Sequence, residues 1–124
     1  MSTRTATAAA DPLIESRDDL LAIFAKGEKP KDRWRIGTEH EKFVYRTADH
    51  RAPSYDEPGG IRDLLDALTV YGWEPVIEGG KVIALSGSDG AISLEPAGQF
   101  ELSGAPLDNL HETCAEAGRH LKQV

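Results

Sequence analysis

Residues 91–104, AISLEPAGQFELSG, alternate between apolar and polar side chains. The even-numbered positions carry the apolar members, Ile92, Leu94, Phe100 and Leu102. The odd-numbered positions carry the polar members, Ser93, Glu95, Gln99, Glu101 and Ser103. Because successive residues of a β-strand point to opposite faces of a sheet, this alternation predicts a strand with one core face and one acidic face. The prediction requires the segment to stay extended through Pro96 and Gly98, where a bulge or a slip would change the face.

A second acidic segment lies earlier in the chain, RIGTEHEKF at residues 35–43. It belongs to the longer stretch 34–46, which is rich in β-branched and aromatic residues and is predicted to be the first strand. Glu39 and Glu41 are two residues apart and therefore share one face of that strand. His40 points to the opposite face, where a packed or hydrogen-bonded histidine is expected.

Two such strands, as antiparallel neighbours in one sheet, would bring together four carboxylates, Glu39, Glu41, Glu95 and Glu101. Clustered carboxylates repel and raise one another's pKa, and a hard divalent cation removes the repulsion. Mg²⁺ takes oxygen ligands and usually shares its coordination shell with substrate phosphates. The pattern therefore predicts metal-dependent phosphoryl chemistry. The alternative left open by the residues alone is that Glu-x-Glu is only the solvated face of a strand.

Three helices are predicted around these strands. The first begins at Ser16, where SRDD resembles a capping box with Asp19, and Gly27 is expected to be the first residue after its end. The second covers residues 61–72, because apolar residues recur there at helical spacing and Gly72 follows as a stop signal. The last carries an apolar stripe formed by Leu107, Leu110, Cys114, Ala117, Leu121 and Val124. This stripe predicts a buried, structural Cys114 and places His111 and His120 on the surface.

The fold class predicted from these elements is α+β, with an antiparallel sheet and flanking helices. Two further strands, at 73–78 and 81–86, are joined by a Gly79-Gly80 turn. Because the last stripe is still in phase at Val124, we expect residues 13–124 to be the N-terminal portion of a single larger domain. Residues 1–12 are expected to form a disordered tail.

The composition excludes several classes of partner. The 124 residues include 14 Lys and Arg against 21 Asp and Glu, a formal net charge of −7. This charge argues against nucleic acid or an anionic membrane as the main partner. The single cysteine excludes a disulfide within the chain, so a reducing, cytoplasmic location is expected.

Two segments together closely resemble the plant and proteobacterial type of glutamate–cysteine ligase. They are IGTEHEKF at 36–43 and SLEPAGQFELSGAPL at 93–107. The segments GGIRDLLDALTVYGWEP at 59–75 and GGKVIALSGSDGAISLEP at 79–96 fit the same region of that family. The resemblance covers residues 13–124, which correspond to the N-terminal part of much longer enzymes.

The resemblance implies a fold and an activity. Family members have a glutamine-synthetase-like fold, in which the acidic face of an antiparallel sheet holds Mg²⁺ between ATP and L-glutamate. ATP phosphorylates the glutamate γ-carboxylate, and the amine of L-cysteine then attacks γ-glutamyl phosphate, which is the first step of glutathione biosynthesis. Carried over by motif, Glu39 and Glu41 are expected to be metal-ligating carboxylates. Glu95 and Glu101 are expected either to bind metal themselves or to support the residues that do. Gln99 is then expected to contact substrate, and no protein group acts as a nucleophile.

Two alternatives stand beside this ligase hypothesis. One is a γ-glutamyl ligase with another amine acceptor, since nothing in this stretch identifies the cysteine site. The other is a non-catalytic, acidic α+β binding module. Under the ligase hypothesis these residues require the remainder of the catalytic domain, so we expect the 124 residues alone to be inactive.

Overall fold

The computed structural model describes residues 13–88 and 90–124. The chain divides into two units, the first ending at Trp34 and the second covering residues 35–124. The predicted disordered tail at 1–12 lies outside the described residues. The prediction that residues 13–124 belong to one larger domain stays a prediction.

The first unit contains helix α1, Arg17–Gly27. The predicted capping box is confirmed: Ser16 Oγ accepts a hydrogen bond from the Asp19 N–H at 3.2 Å, and Asp19 Oδ2 accepts one from the Ser16 N–H at 2.8 Å. A further bond from the Ser16 hydroxyl is the main cause of a lowered pKa at Asp19. Gly27 is the last helical residue rather than the first residue after the helix. No residue of α1 is buried.

The second unit contains a five-stranded sheet, which confirms the α+β class. Its strands are β1 (Glu39–Lys42), β2 (Glu74–Glu78), β3 (Lys81–Ser86), β4 (Ala91–Glu95) and β5 (Gln99–Ser103). Their order across the sheet is β1-β5-β4-β3-β2, and every neighbouring pair is antiparallel. The two acidic segments are therefore neighbours, because β1 pairs directly with β5.

The segment that was predicted to be one continuous strand is instead a hairpin of β4 and β5. Pro96–Gly98 form a tight 3₁₀ turn, in which Ala97 and Gly98 take positive φ angles of 64° and 74°. Glu95 consequently lies opposite Gln99. Because the turn has three residues, odd-numbered residues pair with odd-numbered residues, and the predicted division into a core face and a polar face is retained.

β1 is shorter than the predicted strand at 34–46. Ile36 makes an isolated bridge with Leu107, through two backbone hydrogen bonds of 2.7 and 2.8 Å. Arg35 also pairs with Asp108 at 2.9 Å. These contacts hold the entry to β1 against the segment that precedes the last helix.

The core lies on one face of the sheet, under helix α2, Ile61–Leu68. α2 is continued by a 3₁₀ turn, Thr69–Tyr71, and it ends at Gly72 in the left-handed conformation, as predicted. The buried cluster joins residues of α2 to the sheet: Ile61, Leu65 and Leu68 from the helix, and Leu85, Ile92, Phe100 and Leu102 from the strands.

Helix α3, Leu110–Gln123, is rotated relative to the predicted apolar stripe. Its buried residues are Thr113 and His120, whereas Cys114 is exposed and Leu121 is 55% exposed. The predictions of a buried Cys114 and a surface His120 are therefore wrong. Two contacts decide which face of α3 is buried. Glu116 Oε1 accepts a hydrogen bond from the Ala105 N–H at 2.8 Å, and the His120 ring stacks on Phe100.

Candidate functional site

The polar face of the sheet carries the acidic residues in register across two strands. Glu41 of β1 lies directly opposite Glu101 of β5, and Glu39 lies opposite Ser103. On the other side of β5, Ser93 lies opposite Glu101. Directly opposite residues have Cβ atoms about 5 Å apart, so the Glu41 and Glu101 carboxylates are within reach of one cation.

Glu101 stands at the centre of this acidic face. It is only 7% exposed, whereas Glu39 and Glu41 on the edge strand are exposed. Within residues 13–88 and 90–124, none of these three carboxylates forms an ion pair with a lysine, arginine or histidine. A buried carboxylate without a countercharge is unfavourable, and a bound cation would supply that charge.

Glu95 lies farther from β1 than the sequence pattern suggested. Because β5 separates β4 from β1, residues of these two strands are about 10 Å apart across the sheet. Glu95 is instead a diagonal neighbour of Glu101, and its Oε1 accepts a hydrogen bond from Ser93 Oγ at 3.4 Å. Gln99 lies on the same polar face, directly opposite Glu95 and two residues before Glu101 on β5.

The four carboxylates share a face but do not converge on one point. Considering only the part of the chain that the structure describes, no three His, Cys, Asp or Glu side chains are grouped closely enough to hold a metal ion. The directly opposed pair, Glu41 and Glu101, nevertheless matches the way in which Mg²⁺ is commonly bound. One or two protein carboxylates suffice when substrate phosphates and water complete the shell.

His40 lies on the back of the acidic face, as predicted. Its ring is in edge contact with His120, with ring centroids 6.3 Å apart. Burial is the main cause that lowers the pKa of His120 to about 4, and the nearby Lys42 and His40 lower it further. At neutral pH the back of the site is therefore packed against an uncharged imidazole.

Ser103 was not assigned a role from the sequence. Its Oγ donates a hydrogen bond of 2.7 Å to Glu101 Oε1. The available signal was its position two residues after Glu101, which places both side chains on one face of a strand. The alternation pattern alone does not distinguish such a contact from an ordinary solvated serine.

Comparison with known sequences identifies the family. The sequence model of glutamate-cysteine ligase family 2 (GCS2) matches residues 35–124, the whole of the second unit. The chain belongs to glutamate-cysteine ligase family 2. It is also 50% identical over 123 residues to proteins named "Glutamate--cysteine ligase, chloroplastic" from Brassica juncea, Solanum lycopersicum and Arabidopsis thaliana. Each match covers 98% of this chain and 23% of the relative, so the chain spans about a quarter of the length of these family members.

The names of these relatives contradict the cytoplasmic prediction. All three, at 50% identity, are named as chloroplastic enzymes, so the single cysteine was not a reliable indicator of compartment. Across residues 13–88 and 90–124, none of the helices combines the length and apolarity needed to cross a bilayer.

Proposed function

We propose that the protein carrying this chain joins the γ-carboxylate of L-glutamate to the amine of L-cysteine, with consumption of ATP, in the first step of glutathione synthesis. Membership in glutamate-cysteine ligase family 2 and the names of the relatives support the reaction. The structural observation that carries the proposal is the buried Glu101 carboxylate opposite Glu41, without a basic partner in the described part of the chain.

In this proposal Glu41 and Glu101 are the residues that would hold a Mg²⁺ ion. The same acidic face carries two further carboxylates. Glu39 lies two residues before Glu41 on β1, and Glu95 lies on β4, on the other side of β5. When bound, the ion would neutralise and orient the ATP phosphates. Gln99, whose side chain shares this face, contacts substrate as an uncharged donor and acceptor.

The contribution of the protein is then electrostatic and positional. The hairpin of β4 and β5 positions Glu101 and Glu95 relative to each other, and pairing of β5 with β1 positions Glu41. Carboxylates held on neighbouring strands need little reorganisation when they receive a cation with its phosphates. No serine or cysteine nucleophile is required, because the acyl phosphate is the activated group.

Charge-removing variants of the full-length protein test this assignment. We expect Glu41→Gln and Glu101→Gln each to lower the rate of ADP release with glutamate and cysteine by about 100-fold or more, equivalent to about 2.7 kcal/mol. The control is Glu74→Gln, because Glu74 lies on the same face at the opposite edge of the sheet and should leave the rate unchanged. Undiminished turnover in Glu101→Gln would refute the metal assignment.

Replacing the acceptor separates the two ligase hypotheses. If L-cysteine is the acceptor, other amines such as L-2-aminobutyrate should support slower ADP release. A faster rate with another amine would favour the alternative γ-glutamyl ligase. The absence of ADP release with every amine, in a full-length protein shown to be folded, would favour the non-catalytic binding module.

A further inference from the structure

The hydrogen bond between Ser103 and Glu101 distinguishes Glu101 from the other carboxylates of the acidic face. The Ser103 Oγ lies 2.7 Å from Glu101 Oε1, a distance typical of a hydroxyl that donates to a charged oxygen. Glu101 is also the one carboxylate of the four that is buried, at 7% exposure. Ser103 therefore bonds to the carboxylate with the least freedom to find water.

The chemistry of the donor matters at this position. A lysine or arginine at the same place would neutralise Glu101 and compete with a cation, whereas a hydroxyl leaves the full negative charge in place. A carboxylate offers about four lone-pair positions on its two oxygens, and one hydroxyl occupies only one of them. The bond thus fixes the orientation of the carboxylate while its remaining lone pairs stay available.

The register adds a second reason to single out Ser103. It lies opposite Glu39 on β1 and follows Glu101 along β5 at the same face. Ser103 is therefore a direct neighbour of both Glu39 and Glu101. A carboxylate at its position would add a further negative charge beside these two, whereas a small uncharged side chain does not. This position brings a donor to Glu101 without adding negative charge.

We propose that Ser103 is a positioning residue for the metal carboxylate Glu101. The inference rests on the proposed function, because it assumes that Glu101 holds Mg²⁺. Ser103 itself need not touch the ion or the substrate. Its hydroxyl selects the carboxylate orientation that the ion requires, and it lowers the reorganisation needed when the ion binds.

Ser103→Ala in the full-length protein tests the proposal. We expect the Mg²⁺ concentration for half-maximal ADP release to rise about 10-fold, with less than about a twofold change in the rate at saturating Mg²⁺. The dissociation constant for Mn²⁺, measured by electron paramagnetic resonance in the presence of ATP, should rise by a similar factor. Ser103→Thr restores the hydroxyl and should return both quantities to within about threefold of the wild type.

The matched control is Ser86→Ala, the same replacement on the same face but two strands away from β5. It should leave both metal measurements unchanged. Unaltered Mn²⁺ binding in Ser103→Ala would overturn the inference, as would Ser103→Thr behaving like Ser103→Ala. Glu101→Gln separates this failure from failure of the proposed function: if Glu101→Gln also leaves Mn²⁺ binding unaltered, the metal site itself is wrong.

Discussion

At the scale of single residues, His120 shows how the protein environment determines the charge behind the site. Its side chain is only 2% exposed, and both ring nitrogens lack hydrogen-bond partners in the described residues. The ring is parallel to that of Phe100 within 10°, with centroids 6.1 Å apart. Burial in these surroundings opposes protonation and lowers the His120 pKa from 6.5 to about 4.

This lowered pKa predicts a dependence of stability on pH. Between pH 6.5 and about 4 the unfolded chain binds a proton at His120 that the folded chain does not. The free energy of unfolding should therefore fall as the pH falls through this range, by at most about 1.4 kcal/mol per pH unit from this group. His120→Phe keeps an aromatic ring against Phe100 and should reduce the slope, as measured by denaturant unfolding at several pH values. His111→Phe, on the exposed part of the same helix, should leave the slope unchanged, and equal slopes in all three proteins would contradict the prediction.

At the scale of secondary-structure elements, α3 depends on its N-cap. The Asn109 side chain accepts hydrogen bonds from the backbone N–H groups of His111 at 3.0 Å and Glu112 at 3.2 Å. Asn109→Ala removes both bonds and should lower the free energy of unfolding by about 1 kcal/mol. Asn109→Asp retains the acceptor and adds a favourable charge at the helix start, so it should stay close to the wild type in the same denaturant titration. An equal loss of unfolding free energy in both variants would show that the loss does not come from these two hydrogen bonds.

The elements also show what the sequence pattern can predict. The period of two in residues 91–104 correctly separated core from polar residues, and this separation survived the turn because three residues connect Glu95 to Gln99. The turn itself was not predicted, because Ala97 adopts a positive φ that a non-glycine residue seldom takes. The orientation of α3 was wrong for a related reason. A hydrogen bond to Ala105 and a stack on Phe100 decide which face of α3 is buried, and apolar periodicity contains no information about either contact.

At the scale of the whole molecule, the sheet combines a stable core face with a destabilising polar face. Leu85, Ile92 and Phe100 are almost completely buried on one side. On the other side, Glu41 and Glu101 lie directly opposite each other, and like charges in such cross-strand pairs are unfavourable. The order of the strands, rather than any single motif, creates this juxtaposition, because β5 pairs with β1 on one side and with β4 on the other.

This arrangement predicts opposite effects of one substitution with and without metal. Without divalent cations, Glu41→Gln should raise the free energy of unfolding of the full-length protein by about 0.5 kcal/mol, because it removes the repulsion with Glu101. With Mg²⁺ and ATP, the wild type should gain stability by binding them in the folded state, and Glu41→Gln should gain less. Thermal unfolding with and without Mg²⁺ measures both effects, and Glu74→Gln serves as the control on the distant edge strand. If Glu41→Gln destabilises the metal-free protein, repulsion between the opposed carboxylates does not govern this face. Stability would then come from contacts of Glu41 other than those with Glu101.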